Sequence, residues 1–223
     1  MSRGKFITLE GGEGVGKTTN QAFIKDYLEQ HDISVVVTRE PGGTKLAEKI
    51  RQLLLDNKSE AVSEQAELLM MFAARAQHIK HVIEPALAQG KWVLCDRFTD
   101  ATYAYQGGGR NVKVSTIQWL ENFVQGSLRP DLTLLLDAPV EIGAARIRQR
   151  GALDRFELEK VNFFENVRRA YLLQAELYPE RIKVIKANQP LLDVQVAITD
   201  MIRTTLGLCA LNCPNPPRHG SIK

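Results

Sequence analysis

Cysteine is scarce in this sequence. Cys95, Cys209 and Cys213 form an odd set without the paired spacing of a zinc site, so neither a disulfide framework nor a metal centre is indicated. Cys95 lies inside an apolar run, the setting of a packed small residue. No apolar stretch approaches the roughly 18 residues of a membrane span. The N-terminus passes directly into a strand pattern without the regions of a signal peptide. The expected location is the cytoplasm, with no membrane partner. No block of five lysines occurs, and a net charge of +3 is too small to indicate nucleic acid. The Asn-Lys-x-Asp segment of guanine-reading switches is also missing. What remains is ordinary: 44% hydrophobic and 25% charged residues, with enough chain for one substantial core.

Five short apolar runs read as strands: 6–10 (FITLE), 34–40 (SVVVTRE), 92–96 (WVLCD), 132–137 (LTLLLD) and 182–187 (IKVIKA). Helical patterns separate them. The third and fourth runs lack a period-two alternation, as strands covered on both faces do. The pattern predicts an α/β domain with a doubly wound parallel sheet flanked by helices. Between Thr44 and Gln89 there is room for two helices, the second bent or restarted by Pro85. The last 17 residues, 207–223, combine prolines with little apolar content and read as an irregular tail.

The stretch EGGEGVGKTT follows the first strand and precedes a helical segment. From Gly11, four residues lead to Gly16, Lys17 and Thr18, the spacing of a phosphate-binding loop. Backbone N–H groups across Gly11, Gly12, Glu13, Gly14, Val15 and Gly16 are expected to converge on phosphate oxygens, helped by the positive end of the following helix. Lys17 reaches the outer phosphates and Thr18 ligates magnesium. A bare glycine turn needs neither side chain.

Asp96 ends the third strand beside this loop, where it can hold the magnesium through water, and Arg97 can clamp a phosphoryl group. Taken alone, the pair reads equally as a surface salt bridge. Arg39 and Glu40 end the second strand at the same sheet edge, before the turn Pro41-Gly42-Gly43. Arg75 follows Met71 and Phe72 on a helix, a face that can hold a planar base by stacking on Phe72 and donation from Arg75 to a ring carbonyl. The same helix also fits a core-facing one with an exposed arginine. The segment Thr99–Arg110, with Thr102, Tyr105, Gln106 and three glycines, reads as a polar ligand-contacting loop or a flexible hinge.

Arg146, Arg148, Arg150 and Arg155 crowd into ten residues, as a lid delivering bidentate phosphate contacts requires. An acceptor that already carries a phosphate is nucleophilic near neutral pH and needs arginines more than a general base. Arg39, Arg75 and Arg97 around an anionic acceptor favour a nucleoside monophosphate over a nucleoside.

With those residues in place, the chain resembles the bacterial thymidylate kinases over about residues 3 to 205. The likeness rests on EGGEGVGKTT, TREPGGT, FAARAQH, DRFTDATYAYQGGGR, RPDLTLLLD and RGALDRFE, in that order. The resemblance implies a P-loop NTPase domain over 1–206 with an arginine-rich lid at about 143–157, working as a homodimer; the basic residues cluster at sheet ends and in that lid without an extended stripe, so no nucleic acid is expected. It implies transfer of the γ-phosphoryl group of ATP, with Mg2+, to thymidine monophosphate. Glu13 then lies near the sugar 3′-hydroxyl, Arg97 on the acceptor phosphate, Arg75 on a thymine carbonyl and Tyr105 under C2′. Thr102 and Gln106 approach the base, Arg150 and Arg155 bridge the two phosphate chains, and Asn188 to Pro190 lie next to adenine. Many members carry the stacking phenylalanine four residues before the base-binding arginine. Here that position is Met71, and Phe72 is taken as the stacking ring. A kinase for another nucleotide, or a nucleotide-dependent switch, is the alternative.

Overall fold

A computed structural model describes residues 3–56, 60–148 and 154–208. Five parallel strands form one sheet in the order β2-β3-β1-β4-β5. They are β1 (Phe6–Glu10), β2 (Val35–Arg39), β3 (Trp92–Asp96), β4 (Leu132–Asp137) and β5 (Ile182–Lys186), one residue shorter at each end of β2 and at the end of β5 than the sequence indicated. Every residue of β1 is buried, as its central place demands, which is why its sequence shows no alternation. Helices α1 (Lys17–Glu29), α2 (Lys45–Leu55), α3 (Glu64–His78), α4 (Glu84–Ala88), α5 (Thr99–Thr102), α6 (Val114–Gln125), α7 (Val140–Arg148), α8 (Val161–Leu177) and α9 (Leu191–Leu206) connect and cover the strands.

One core joins β1, β3 and β4 to α1 and α9 through Ile7, Leu94, Leu134, Ile24, Leu28, Ile198 and Ile202. On the other face Phe6, Val93 and Phe98 pack under Ile79, Ile83 and Leu87. The helix after α3 does not stop at Pro85. It widens into a π-helical turn over Ile79–Ile83, and Pro85 sits in the first turn of α4. The wide turn bonds the Glu84 N–H to the Ile79 carbonyl and lets the helix continue past a residue that has no N–H of its own.

The connection leaving β1 runs toward β2, while those leaving β3 and β4 run the other way. This divergence opens a crevice beyond the carboxyl ends of the central strands. Register aligns those ends: Arg39 pairs with Asp96, and Asp96 with Leu9. The segments that follow β1, β2 and β3 therefore emerge side by side at one edge.

Candidate active site

The loop after β1 owes its path to close backbone approaches. Gly14 has φ +69, and a Cβ there would lie 2.3 Å from the Gly143 carbonyl of α7; one on Gly143 would lie equally close to the Glu13 carbonyl. Only two hydrogens fit between the loop and α7. Helix α1 then begins after Gly16 with no side-chain cap and no acid in its first turn, so its N–H groups face an anion without competition. Lys17 is buried and donates to the Gly12 and Gly11 carbonyls at 2.7 and 3.3 Å, and burial, then the nearby Arg97 charge, lowers its pKa. Val15 points the other way, into the core and a second, smaller and mainly apolar cavity behind the loop.

A cavity of about 540 Å³ opens from this loop across the crevice. Glu13, Lys17, Thr18, Arg39, Arg75, Asp96, Arg97, Thr102, Tyr105 and Gln106 all line it, so the structure brings together most of the residues singled out in the sequence. Arg97 has φ +68, uncommon for a side chain of its size. Its guanidinium donates to Glu13 Oε1 at 2.6 Å, to the Gly11 carbonyl at 3.0 Å and to the Tyr171 hydroxyl at 3.1 Å, with its carbon 4.7 Å from the centre of the Tyr105 ring. Burial alone would lower its pKa, but the surrounding acids, led by Glu13, raise it well above the ordinary value. Tyr105 also donates to Glu13 Oε1, at 2.9 Å. Beneath them Glu10 accepts from Tyr171 at 2.7 Å and from the Phe98 N–H at 2.6 Å. The result is a cation fixed on three sides beside the phosphate loop.

Arg75 is enclosed on α3. It donates from Nε to Glu40 at 2.7 Å and from Nη2 to the Phe98 carbonyl and Thr102 hydroxyl at 3.1 and 3.0 Å. Its Nη1 is buried without a hydrogen-bond partner among the described residues. Asp96 Oδ1 is in the same position, a buried carboxylate oxygen at the end of β3 on the wall it shares with Thr18. A hard divalent cation takes oxygens of this kind, and a site with one carboxylate and one hydroxyl suits a magnesium ion that draws its other ligands from phosphates and water. Among the described residues no group of three or more His, Cys, Asp or Glu could hold a metal by itself.

Two assignments are corrected. Phe72 does not face the cavity: it packs with Leu68, Ile117 and Leu120 and supports Arg75 from behind, its ring centre 4.9 Å from the guanidinium carbon. Met71, one residue earlier and about 100° around the helix, lines the cavity instead. Arg155 turns away from the cavity, donating to Glu67 at 2.6 Å and to the Leu54 carbonyl at 2.8 Å. Glu67, almost fully buried, also takes Gln106 and Arg110, so Arg155 answers an acid it cannot leave unpaired. Arg150 lies outside the described residues. Among the described residues of the arginine-rich run, Arg146 stands on the cavity wall, donating to the Gly14 carbonyl at 3.2 Å.

The glycines of the Tyr103–Gly109 segment are close-packing positions and do not line the cavity. The segment is a π-helical turn pressed on α8, where a Cβ on Gly109 would meet Phe163 at 2.4 Å. Arg51 and Tyr171 were missed by the sequence reading. Both leave a signal: Arg51 falls on the buried stripe of α2 with Ala47 and Leu54, and Tyr171 on that of α8 with Phe163 and Val167. A polar group on a buried stripe needs a reason, and here it is the cavity for Arg51 and the Arg97 anchor for Tyr171.

Sheet order, phosphate loop and cavity define a P-loop phosphotransferase fold. The family profile described as Thymidylate kinase matches residues 9–198, and the chain belongs to that family. It is 56% identical over 206 residues to the thymidylate kinase of Ectopseudomonas mendocina, covering 92% of this chain and 98% of that one. It is 58% identical over 195 residues to the thymidylate kinase of Teredinibacter turnerae, covering 87% and 95%. The crystal structure of thymidylate kinase from Ehrlichia chaffeensis superposes with a TM-score of 0.73 at 33% identity, covering 90% of this chain and 99% of that one.

Proposed function

We propose that the chain transfers the γ-phosphoryl group of ATP to thymidine monophosphate, giving the diphosphate. One observation carries this reading: a single cavity has a phosphate loop at one end and, at the other, an enclosed guanidinium with an unpartnered donor, and Arg97 stands between them. In this reading the N–H groups from Gly11 to Gly16 and the Lys17 ammonium hold the ATP phosphates, and Arg97 holds the acceptor phosphate in line with them. Glu13 fixes Arg97 and stands near the sugar 3′-hydroxyl. Tyr105, edge-on to Phe156 and Tyr171, closes the floor under the sugar. Arg75 donates to a ring carbonyl, with Thr102 and Gln106 along the base and Met71, in place of Phe72, against it. Arg39 and Arg51 add positive charge at the acceptor end.

No carboxylate is required as a base, because a monophosphate ester is already largely dianionic above its second pKa, near 6. The catalytic work is the placing of charge against the transferring group, with Lys17 and Arg97 fixed in advance and Arg146 and Arg150 supplied by the lid. Magnesium, when bound, neutralises phosphate charge, and Thr18 and Asp96 are the residues to hold it.

We also infer a homodimer. Trp119 and Phe123 stack in parallel on α6, ring centres 5.6 Å apart, and are 65% and 76% exposed. Leu69 on neighbouring α3 is exposed as well, and together they offer apolar surface suited to a second copy of the chain.

The test is ADP release with ATP and magnesium across thymidine, deoxyuridine, deoxycytidine, deoxyguanosine and uridine monophosphates, and thymidine itself. A rate concentrated on thymidine monophosphate is expected. Equal rates across the bases would sink the assigned role of Arg75, and ATP binding without transfer to any acceptor would leave the loop as a binding site only.

A further inference from the structure

A guanidinium carries five N–H donors in a rigid plane, so fixing any two of its nitrogens fixes the third. In Arg75 the fixed pair is Nε and Nη2, and the strongest anchor is the charged acceptor on Nε, Glu40 Oε2 at 2.7 Å. The stance of the guanidinium at the cavity wall, with Nη1 enclosed and unpartnered among the described residues, is therefore set by where the Glu40 carboxylate stands.

Glu40 is itself held. Its other oxygen, Oε1, accepts from His78 Nδ1 at 3.0 Å, and His78 Nε2 lies 2.7 Å from the Thr38 hydroxyl. His78 has no exposed surface, and Glu40 and Arg75 have almost none. The turn after β2 is shaped around the imidazole: Gly43 has φ +84, and a Cβ there would come within 2.6 Å of two His78 ring atoms. Thr38 of β2 and Glu40 just beyond its end thus meet Arg75 and His78 from α3 in one line of hydrogen bonds that ends at the cavity. This line accounts for Thr38 of TREPGGT and His78 of FAARAQH, which do not line the cavity, while Glu40 and Arg75 stand on its wall.

We propose that His78 is a positioning residue for recognition of the base, acting through Glu40 to direct Arg75 Nη1; the proposal rests on the reading of Arg75 as the donor to a ring carbonyl. His78 touches no substrate. A histidine that merely filled the core would serve the fold alone, and its replacements would be ranked by volume. In this arrangement they are ranked by which nitrogen they reproduce. Asparagine places an amide nitrogen where Nδ1 stands and keeps the bond to Glu40. Glutamine places one where Nε2 stands, keeps Thr38 and loses Glu40.

The experiment is steady-state kinetics of the full chain at saturating ATP and magnesium, with thymidine and deoxycytidine monophosphates as acceptors, on wild type, H78N, H78Q and R75A, each checked by thermal melting. H78Q is expected to raise KM for thymidine monophosphate about tenfold, leave kcat within about twofold and narrow the preference over deoxycytidine monophosphate. H78N is expected to stay within about threefold of wild type. Equal behaviour of H78Q and H78N, or a loss confined to kcat or melting temperature, overturns the proposal. R75A separates the two levels: an unchanged KM there removes the base-reading role of Arg75, whereas a raised KM in R75A with none in H78Q removes only the role of His78. Should H78Q not fold, T38V reads the far end of the same line. A rise in its KM alone supports the proposal, and an unchanged KM overturns it.

Discussion

Lys17 and Glu10 bracket the phosphate loop and make contrasting predictions. Lys17→Ala removes the ammonium that donates to the Gly11 and Gly12 carbonyls and that the proposed reaction sets against the transferring group, while the loop keeps its glycine-defined path. A kcat loss of at least about 100-fold with an unchanged melt is expected, and ADP release with a melting curve measures both. Glu10 concerns stability. Burial first, then the Asp100 carboxylate, pushes its carboxyl up to about 8 from an unperturbed 4.5. Between those values the folded chain keeps a proton that the unfolded chain releases, so this group's contribution to stability falls as pH rises through the window and is flat above it. The melting temperature of wild type minus that of E10Q should fall from pH 5 to pH 8. A difference that does not change with pH would contradict a proton on Glu10. The residue scale is also where sequence reading reached its limit. Met71 and Phe72 are both apolar, and only the rotation of α3 against α6 decides which of them meets the cavity. Arg155 sits in an arginine-rich run, but the acid that captures it, Glu67, is 88 residues away.

At the scale of elements, more was legible. The central strands β1, β3 and β4 showed themselves because burial on both faces removes polar residues from them, leaving runs that no amphipathic helix produces; the edge strands β2 and β5 showed themselves by β-branched residues between polar ones. Asp96 and Arg39 could be placed at one edge because all the strands are parallel and their carboxyl ends coincide. The contact between α7 and the loop was not legible. Gly143 looks like a weak point in a helix until its neighbour, Gly14, is known. Gly143→Ala should therefore destabilise despite its better helix propensity. A loss of about 1–3 kcal/mol in denaturant unfolding is expected, with a fall in activity as α7 is levered off the Glu13 carbonyl. A neutral or stabilising result would mean that α7 can shift without cost.

For the whole molecule, the exposed Trp119–Phe123 stack carries the prediction. Replacing both by glutamate should halve the mass in sedimentation at micromolar concentration, and an unchanged mass would place the interface elsewhere. Arg75 Nη1 and Asp96 Oδ1 are polar atoms enclosed without partners among the described residues. Each such atom costs a folded chain about 1–3 kcal/mol. A bound acceptor would relieve the first and a magnesium nucleotide the second, so occupancy would shift the folding equilibrium by mass action. In a cell, where proteases clear chains that open, survival of the protein would then follow the supply of its own substrates: scarcity would shorten its lifetime and abundance extend it.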